Sequence, residues 1–132
     1  MKVIRFDPSD DLIFIRGRVW GPNEDYRDLR LVLDTGAGET VVIPEVLDRL
    51  GYSSRQGEAI TSMRSAVAEE QGYLIRVARF SALGHQMTDF RVHVHDLPEG
   101  WDIDGLIGLN LLRDLNYEIR SREGRILVER AS

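Results

Sequence analysis

The sequence predicts an all-β fold, closed as a barrel or stacked as a sandwich, and three observations predict it. Most apolar residues recur with period two, in runs short enough to be strands. Turn residues separate those runs, and only two stretches switch to helical spacing. With 132 residues, 42% of them hydrophobic and 30% charged, the chain is expected to form one domain over 1–132 around a single core.

Each element has its own reason. MKVIRF (1–6) is rich in β-formers. DLIFIRGRVW (11–20) alternates, with Leu12, Phe14 and Ile15 competing for the inner face. LRLVLD (29–34) is a nearly continuous apolar run, as in a strand buried on both sides. Residues 40–43 are short and β-branched. PEVLDRLGY (44–52) opens on proline, places Val46, Leu47 and Leu50 at helical spacing and stops at glycine, so it predicts a short helix. YLIRVARFSAL (73–83) and DFRVHVH (89–95) alternate again. GLNLLRDL (108–115) predicts a second short helix. NYEIRS (116–121) and GRILVE (124–129) flank an Arg-Glu-Gly turn and form a hairpin. There is no repeat, low-complexity tract or linker.

Composition excludes several classes. A net charge of −5 with scattered basic residues argues against a nucleic-acid partner. The absence of cysteine removes disulfides and thiolate metal sites. The N-terminal stretch has no long apolar core and meets acidic residues early, which is not a signal-peptide pattern, and no run approaches the ~20 apolar residues of a membrane span. A cytoplasmic protein without a membrane partner is the expectation.

LVLDTGAGETVVIP (31–44) places one aspartate on a Thr-Gly turn between two apolar runs. Two readings are open on these residues alone. Asp34 can be an ordinary turn aspartate that hydrogen-bonds its own backbone. Alternatively, its carboxyl, at the end of an apolar strand, sits in a low-dielectric setting with a perturbed pKa, as a catalytic acid or base requires. Thr35 offers a hydroxyl for main chain across a close interface, and Gly36 lets another backbone approach.

A distant stretch bears on the choice. In DGLIGLNLL (104–112) the apolar pair Leu106-Ile107 precedes Gly108, and a helix begins at Asn110. Together with LVLDTGAGETVVIP, this resembles the retropepsins, the retroviral-type aspartic proteases, and their single-domain bacterial relatives. In that family an apolar strand ends in Asp-Thr/Ser-Gly-Ala, and a later apolar-apolar-Gly strand passes behind the catalytic loop. The order and separation of the two motifs match over roughly residues 10–129.

The resemblance implies a closed retropepsin-like barrel and an aspartic endopeptidase needing no cofactor and no metal. Asp34 would be the catalytic aspartate, with Thr35, Gly36 and Ala37 supporting it and Leu106, Ile107 and Gly108 backing the loop. Leu109 stands where many retropepsins have arginine. Only one Asp-Thr/Ser-Gly is present, and Asp104-Gly105 lacks the hydroxyl residue, so two carboxyls require a homodimer acting on a peptide or protein substrate. A catalytically silent dimer that binds an extended peptide is the alternative. The flap hairpin falls in 58–80, with its tip at Ser62, Met63, Arg64 and the residues just after, and no glycine lies between Gly57 and Gly72. MKVIRF and RILVE (125–129) could either interleave with a second chain or pair within one barrel.

His93 and His95, two apart on a strand, share a face and with His85 or Asp96 could be weighed as a zinc site, but a third ligand at fitting spacing is missing. GAGET (36–40) carries Glu39 where a phosphate loop needs positive charge. Trp20 and Trp101 fit core or barrel rim.

Overall fold

The computed structural model describes residues 1–57, 59–64 and 69–131. Among the described residues, ten strands, two short α-helices and a 3-10 turn at Ser54–Gln56 follow in order. They are β1 (Lys2–Arg5), β2 (Phe14–Trp20), β3 (Tyr26–Leu33), β4 (Val41–Val42), α1 (Pro44–Arg49), β5 (Ala59–Arg64), β6 (Glu69–Ala82), β7 (His85–Val94), β8 (Gly105–Ile107), α2 (Leu109–Leu112), β9 (Leu115–Arg120) and β10 (Arg125–Arg130).

Seven strands form one sheet in the order β2-β3-β8-β4-β7-β6-β5, and a further β2–β6 pairing closes it into a barrel. Closure removes the edges an open sheet would expose. β5 lies outside the closed ring and pairs only with the first half of β6, from Ala59 opposite Leu74 to Arg64 opposite Glu69. This hairpin falls in the stretch expected to form the flap, and its β6 arm continues into a strand of the barrel.

β2 settles the competition for its inner face in favour of the odd-numbered residues. Ile15 and Val19 are buried, and Leu12, before the strand, is exposed. Phe14 turns outward, where the Arg30 guanidinium lies 4.0 Å from its ring centre and shields it. Between Ile15 and Val19, Gly17 leaves room for the barrel to close: a Cβ there would stand 2.5 Å from Leu31 Cδ1 and 2.9 Å from Ser81 O. The core gathers Leu31, Leu33, Val42, Leu47, Phe80, Val92, Ile107 and Leu111 from both halves of the chain. α1 covers one end and stops at Gly51, whose φ of +96° suits glycine. Just beyond, the buried Tyr52 donates its hydroxyl to Trp20 O (2.8 Å) and accepts from Ala78 N–H (2.9 Å), tying the helix exit to two barrel strands.

The chain termini pair with one another. β1 lies antiparallel to β10, Lys2 opposite Val128, and β10 pairs with β9, making a separate three-stranded sheet. Within this chain, MKVIRF and RILVE pair with each other in a sheet beside the barrel, not as part of it. Ile126 and Val128 carry that sheet into the common core.

Two stability predictions follow from this packing. Tyr52→Phe keeps the ring but leaves Trp20 O and Ala78 N–H without their partner, so urea unfolding is expected to show a loss of about 1–3 kcal/mol. His93 is buried, and burial first, then the adjacent His95, push its pKa below the ordinary 6.5 against an opposing pull from Glu39. The unfolded chain therefore takes up the proton more readily. Stability from this group is complete above about pH 6.5 and is lost as pH falls from there through the folded-state pKa. Melting temperatures of the wild type and His93→Gln across that range are expected to differ in slope, with the variant less sensitive to acid.

Candidate active site

The loop from Asp34 to Thr40 is gripped from behind by β8. β3 delivers Asp34 while running parallel to β8, with Leu31 opposite Gly105, Val32 opposite Leu106 and Leu33 opposite Ile107. β4 leaves the loop antiparallel to the same strand, Val41 opposite Leu106. Asp34 N–H donates to Ile107 O at 2.9 Å, and beyond Gly108 the Leu109 and Asn110 N–H groups donate to Ala37 O (2.8 Å) and Gly38 O (3.1 Å). Such close passage demands glycine. A Cβ on Gly105 would lie 2.1 Å from Val41 O, and one on Gly108 would lie 2.5 Å from Glu39 O and 2.9 Å from Ala37 O. Leu106, Ile107 and Gly108 thus stand directly behind the Asp34 loop, Ile107 and Gly108 fully buried.

At the front of the loop, Gly36 N–H donates to Asp34 Oδ1 at 2.9 Å, and Ala37 N–H donates to Asp34 O at 3.2 Å. The first of these is the local turn contact expected of an ordinary turn aspartate. It engages one carboxylate oxygen and fixes the side chain's direction. Asp34 and Ala37 are half-buried, while Thr35, Gly36 and Gly38 are exposed. The enclosed, low-dielectric carboxyl expected from the apolar flanks is therefore not found in a single chain. The flanking side chains Leu31 and Leu33 pack downward into the barrel, and the loop above them meets solvent. Among the described residues the Thr35 hydroxyl has no hydrogen-bond partner.

A polar network, absent from the sequence reading, braces the loop's far end. Thr40, fully buried, gives both its N–H (2.7 Å) and its hydroxyl (2.8 Å) to Asn110 Oδ1, and its Oγ1 accepts from Gly108 N–H (3.2 Å). Asn110 Nδ2 donates to Arg91 O at 2.9 Å, and the Arg91 guanidinium holds Glu39 Oε1 at 2.9 Å. A buried hydroxyl needs a partner, and Asn110, in the first turn of the helix after the glycine, is the one polar side chain of LNLL. That pairing was the available signal.

The flap residues Ser62, Met63 and Arg64 lie on β5, their backbones paired with Gln71, Glu70 and Glu69. They form an arm of the hairpin, and the rest of the expected tip, at 65–68, lies outside the described residues. His93 and His95 do share a face, buried, with their rings edge-on at 5.0 Å and His95 Nδ1 lying 2.8 Å from Asp96 O. Among the described residues no three His, Cys, Asp or Glu side chains come together as a metal site. No helix is long and apolar enough to cross a membrane. Trp101 is exposed, consistent with a rim position.

No curated protein sequence matches the chain. Solved structures share its fold. A retropepsin-like aspartic protease from Rickettsia conorii superposes with a TM-score of 0.69 at 20% identity, covering 96% of this chain and 88% of that one. The EIAV protease in complex with the inhibitor HBY-793 gives 0.58 at 20% identity, over 80% of this chain and 89% of the other. The retroviral protease-like domain of Ddi1 from Leishmania major gives 0.59 at 15% identity, over 92% and 90%. The aspartyl protease family model matches residues 16–111, from the middle of β2 to α2 and so across both the Asp34 loop and the strand that backs it. With that match and the barrel described above, the chain belongs to the aspartyl protease family and carries its retropepsin-like fold.

Proposed function

We propose that the chain is an aspartic endopeptidase whose catalytic dyad forms from Asp34 of two identical chains. The observation that carries this reading is the Asp-Thr-Gly loop itself, present once, braced rigidly from behind and open in front. Two carboxyls about 3 Å apart cannot both ionise, so the pair shares one proton and titrates as a unit. The ionised member removes a proton from a water held between them, and the protonated member polarises the scissile carbonyl. The water oxygen attacks the carbonyl carbon, and a proton delivered to the departing nitrogen completes the hydrolysis without a covalent enzyme intermediate. In this reading the Thr35 hydroxyl, exposed in one chain, bonds main chain of the partner loop. Gly36 lets substrate backbone approach, and Ala37 completes the loop floor.

Substrate would lie extended between the loop and the β5–β6 hairpin, pairing through main-chain groups. The lack of glycine between Gly57 and Gly72 favours one second reading, a dimer of the same architecture that holds an extended peptide without cutting it. Cleavage of a diverse peptide mixture by wild type and by Asp34→Asn, from about pH 4 to 7, separates the two. Cuts made by wild type alone are the expected result. Persistence of those cuts in Asp34→Asn would refute the dyad mechanism, and folded wild-type protein that cuts nothing would leave the peptide-holding dimer.

Asp34→Asn is also expected to keep the fold and the dimer, and to be no less stable, since it removes the repulsion between two facing carboxyls. Sedimentation and thermal melts check this. Asn110→Ala tests the brace. It strips three hydrogen bonds from Thr40 and Arg91, so a stability loss of about 1–3 kcal/mol is expected. Turnover at saturating peptide is expected to fall too, because the loop loses its alignment. Unchanged turnover in a measurably destabilised Asn110→Ala would show that the network supports the fold alone.

A further inference from the structure

Two strand edges face a common groove away from the Asp34 loop. Phe6 N–H donates to Gly124 O at 3.0 Å, continuing a ladder in which Lys2, Ile4 and Phe6 turn their main-chain groups to β10. Antiparallel alternation points those of Val3 and Arg5 the other way, along the side of β1 that no strand covers. β2 is paired with β6 only from Gly17 to Trp20. Because Leu33 N–H donates to Ile13 O, alternation along β2 turns the main-chain groups of Phe14 away from β3 and into that uncovered stretch. Val3, Arg5, Phe14 and Arg16 all line one groove of about 910 Å³, joined by Arg18 and Arg30.

The charges of this groove are unbalanced. Asp28 is taken by Arg18 at 2.8 Å, while Asp104 Oδ2 accepts the main-chain N–H of Arg30 at 2.8 Å and keeps its charge, so four arginines face two carboxylates. Arg5 and Arg16 have no counter-ion among the described residues. Arg16 stands opposite Arg30 in the β2–β3 ladder, and Arg5 stands opposite Arg125, which Glu123 already holds. Like charges in register repel, and an anion between them relieves the repulsion. Free strand edges of this kind invite an added strand. We infer that the groove docks an extended acidic segment of a partner protein, which pairs with the open edges of β1 and β2 while its carboxylates alternate onto the arginines. The edges supply main-chain bonds at strand spacing, which a nucleic acid cannot use, and the chain's net charge of −5 repels a long polyanion.

The test uses the full-length Asp34→Asn chain, so that no probe is cut, with a blocked octapeptide of alternating glutamate and valine. Backbone amide shifts are expected at Val3, Arg5, Phe14 and Arg16. Arg5→Glu and Arg16→Glu, one from each wall, are each expected to weaken binding tenfold or more while circular dichroism stays unchanged, and added salt is expected to weaken it further. Several results overturn the inference: no shifts in the groove at millimolar peptide, equal binding of the lysine–valine octapeptide, or tighter binding of an eight-nucleotide single-stranded DNA. If either arginine substitution instead splits the protein into monomers, the occupant is a second copy of the chain, and the proposal of a partner protein fails.

Discussion

Ile107 O accepts the Asp34 N–H, and the rest of the site depends on that one bond and the crossing that creates it. β8 is only three residues long, yet it pairs with the strand that enters the loop and with the strand that leaves it. Each contact fixes one side of the turn, so Asp34 is presented by a rigid frame although its own loop is short and glycine-rich. Gly105 and Gly108 make the crossing sterically possible, and the apolar side chains around them anchor it in the barrel core. A polar side chain held this way pays little entropy when a second carboxyl or a substrate meets it.

The same frame explains why the polar network at the far end is buried. Once Gly108 passes within contact distance of Glu39 O, Thr40 is carried out of reach of water and must find partners inside. Asn110 satisfies it, and by also binding Arg91 O it couples α2 to β7. Glu39 follows onto Arg91. Loop, helix and outer barrel wall are thereby joined by one polar network that reaches the loop carrying Asp34. The ion pair is partly exposed and contributes little by itself. The buried amide and hydroxyl carry the rigidity.

Much of this was legible in the sequence, and for identifiable reasons. The run Leu29–Leu33 reads as a central strand because it is one, paired on both edges by β2 and β8, with Leu31, Val32 and Leu33 buried and Arg30 exposed. Gly51 marks the end of α1 because its positive φ excludes most other residues. Less was legible wherever a choice depended on a partner strand. Phe14 and Ile15 are both apolar, and only the register with β3 decides which enters the core. The first half of β6, EEQG, has no alternation to see, since it belongs to a hairpin outside the barrel. The contacts of Tyr52, Thr40 and Asn110 leave no periodic trace, because a side chain bonding to backbone needs one position and not a pattern. The expected low-dielectric setting of Asp34 failed in a single chain for a related reason: Leu31 and Leu33 turn from the strand face into the barrel core, away from the carboxyl at the strand's end.

That exposure is informative about assembly. In the proposed dimer, a loop so firmly braced, with the exposed Thr35 hydroxyl at its front, would be covered by its symmetry mate. Rigidity behind and openness in front are what a symmetric pair of loops requires, because two carboxyls share a proton only if neither can turn away. The terminal sheet bears on how the pair could meet. Since β1 and β10 pair within the single chain, the proposed dimer does not require their exchange. Under the proposed dyad, an unpaired subunit would hold a lone carboxyl, and cleavage would rise with the concentration of the pair.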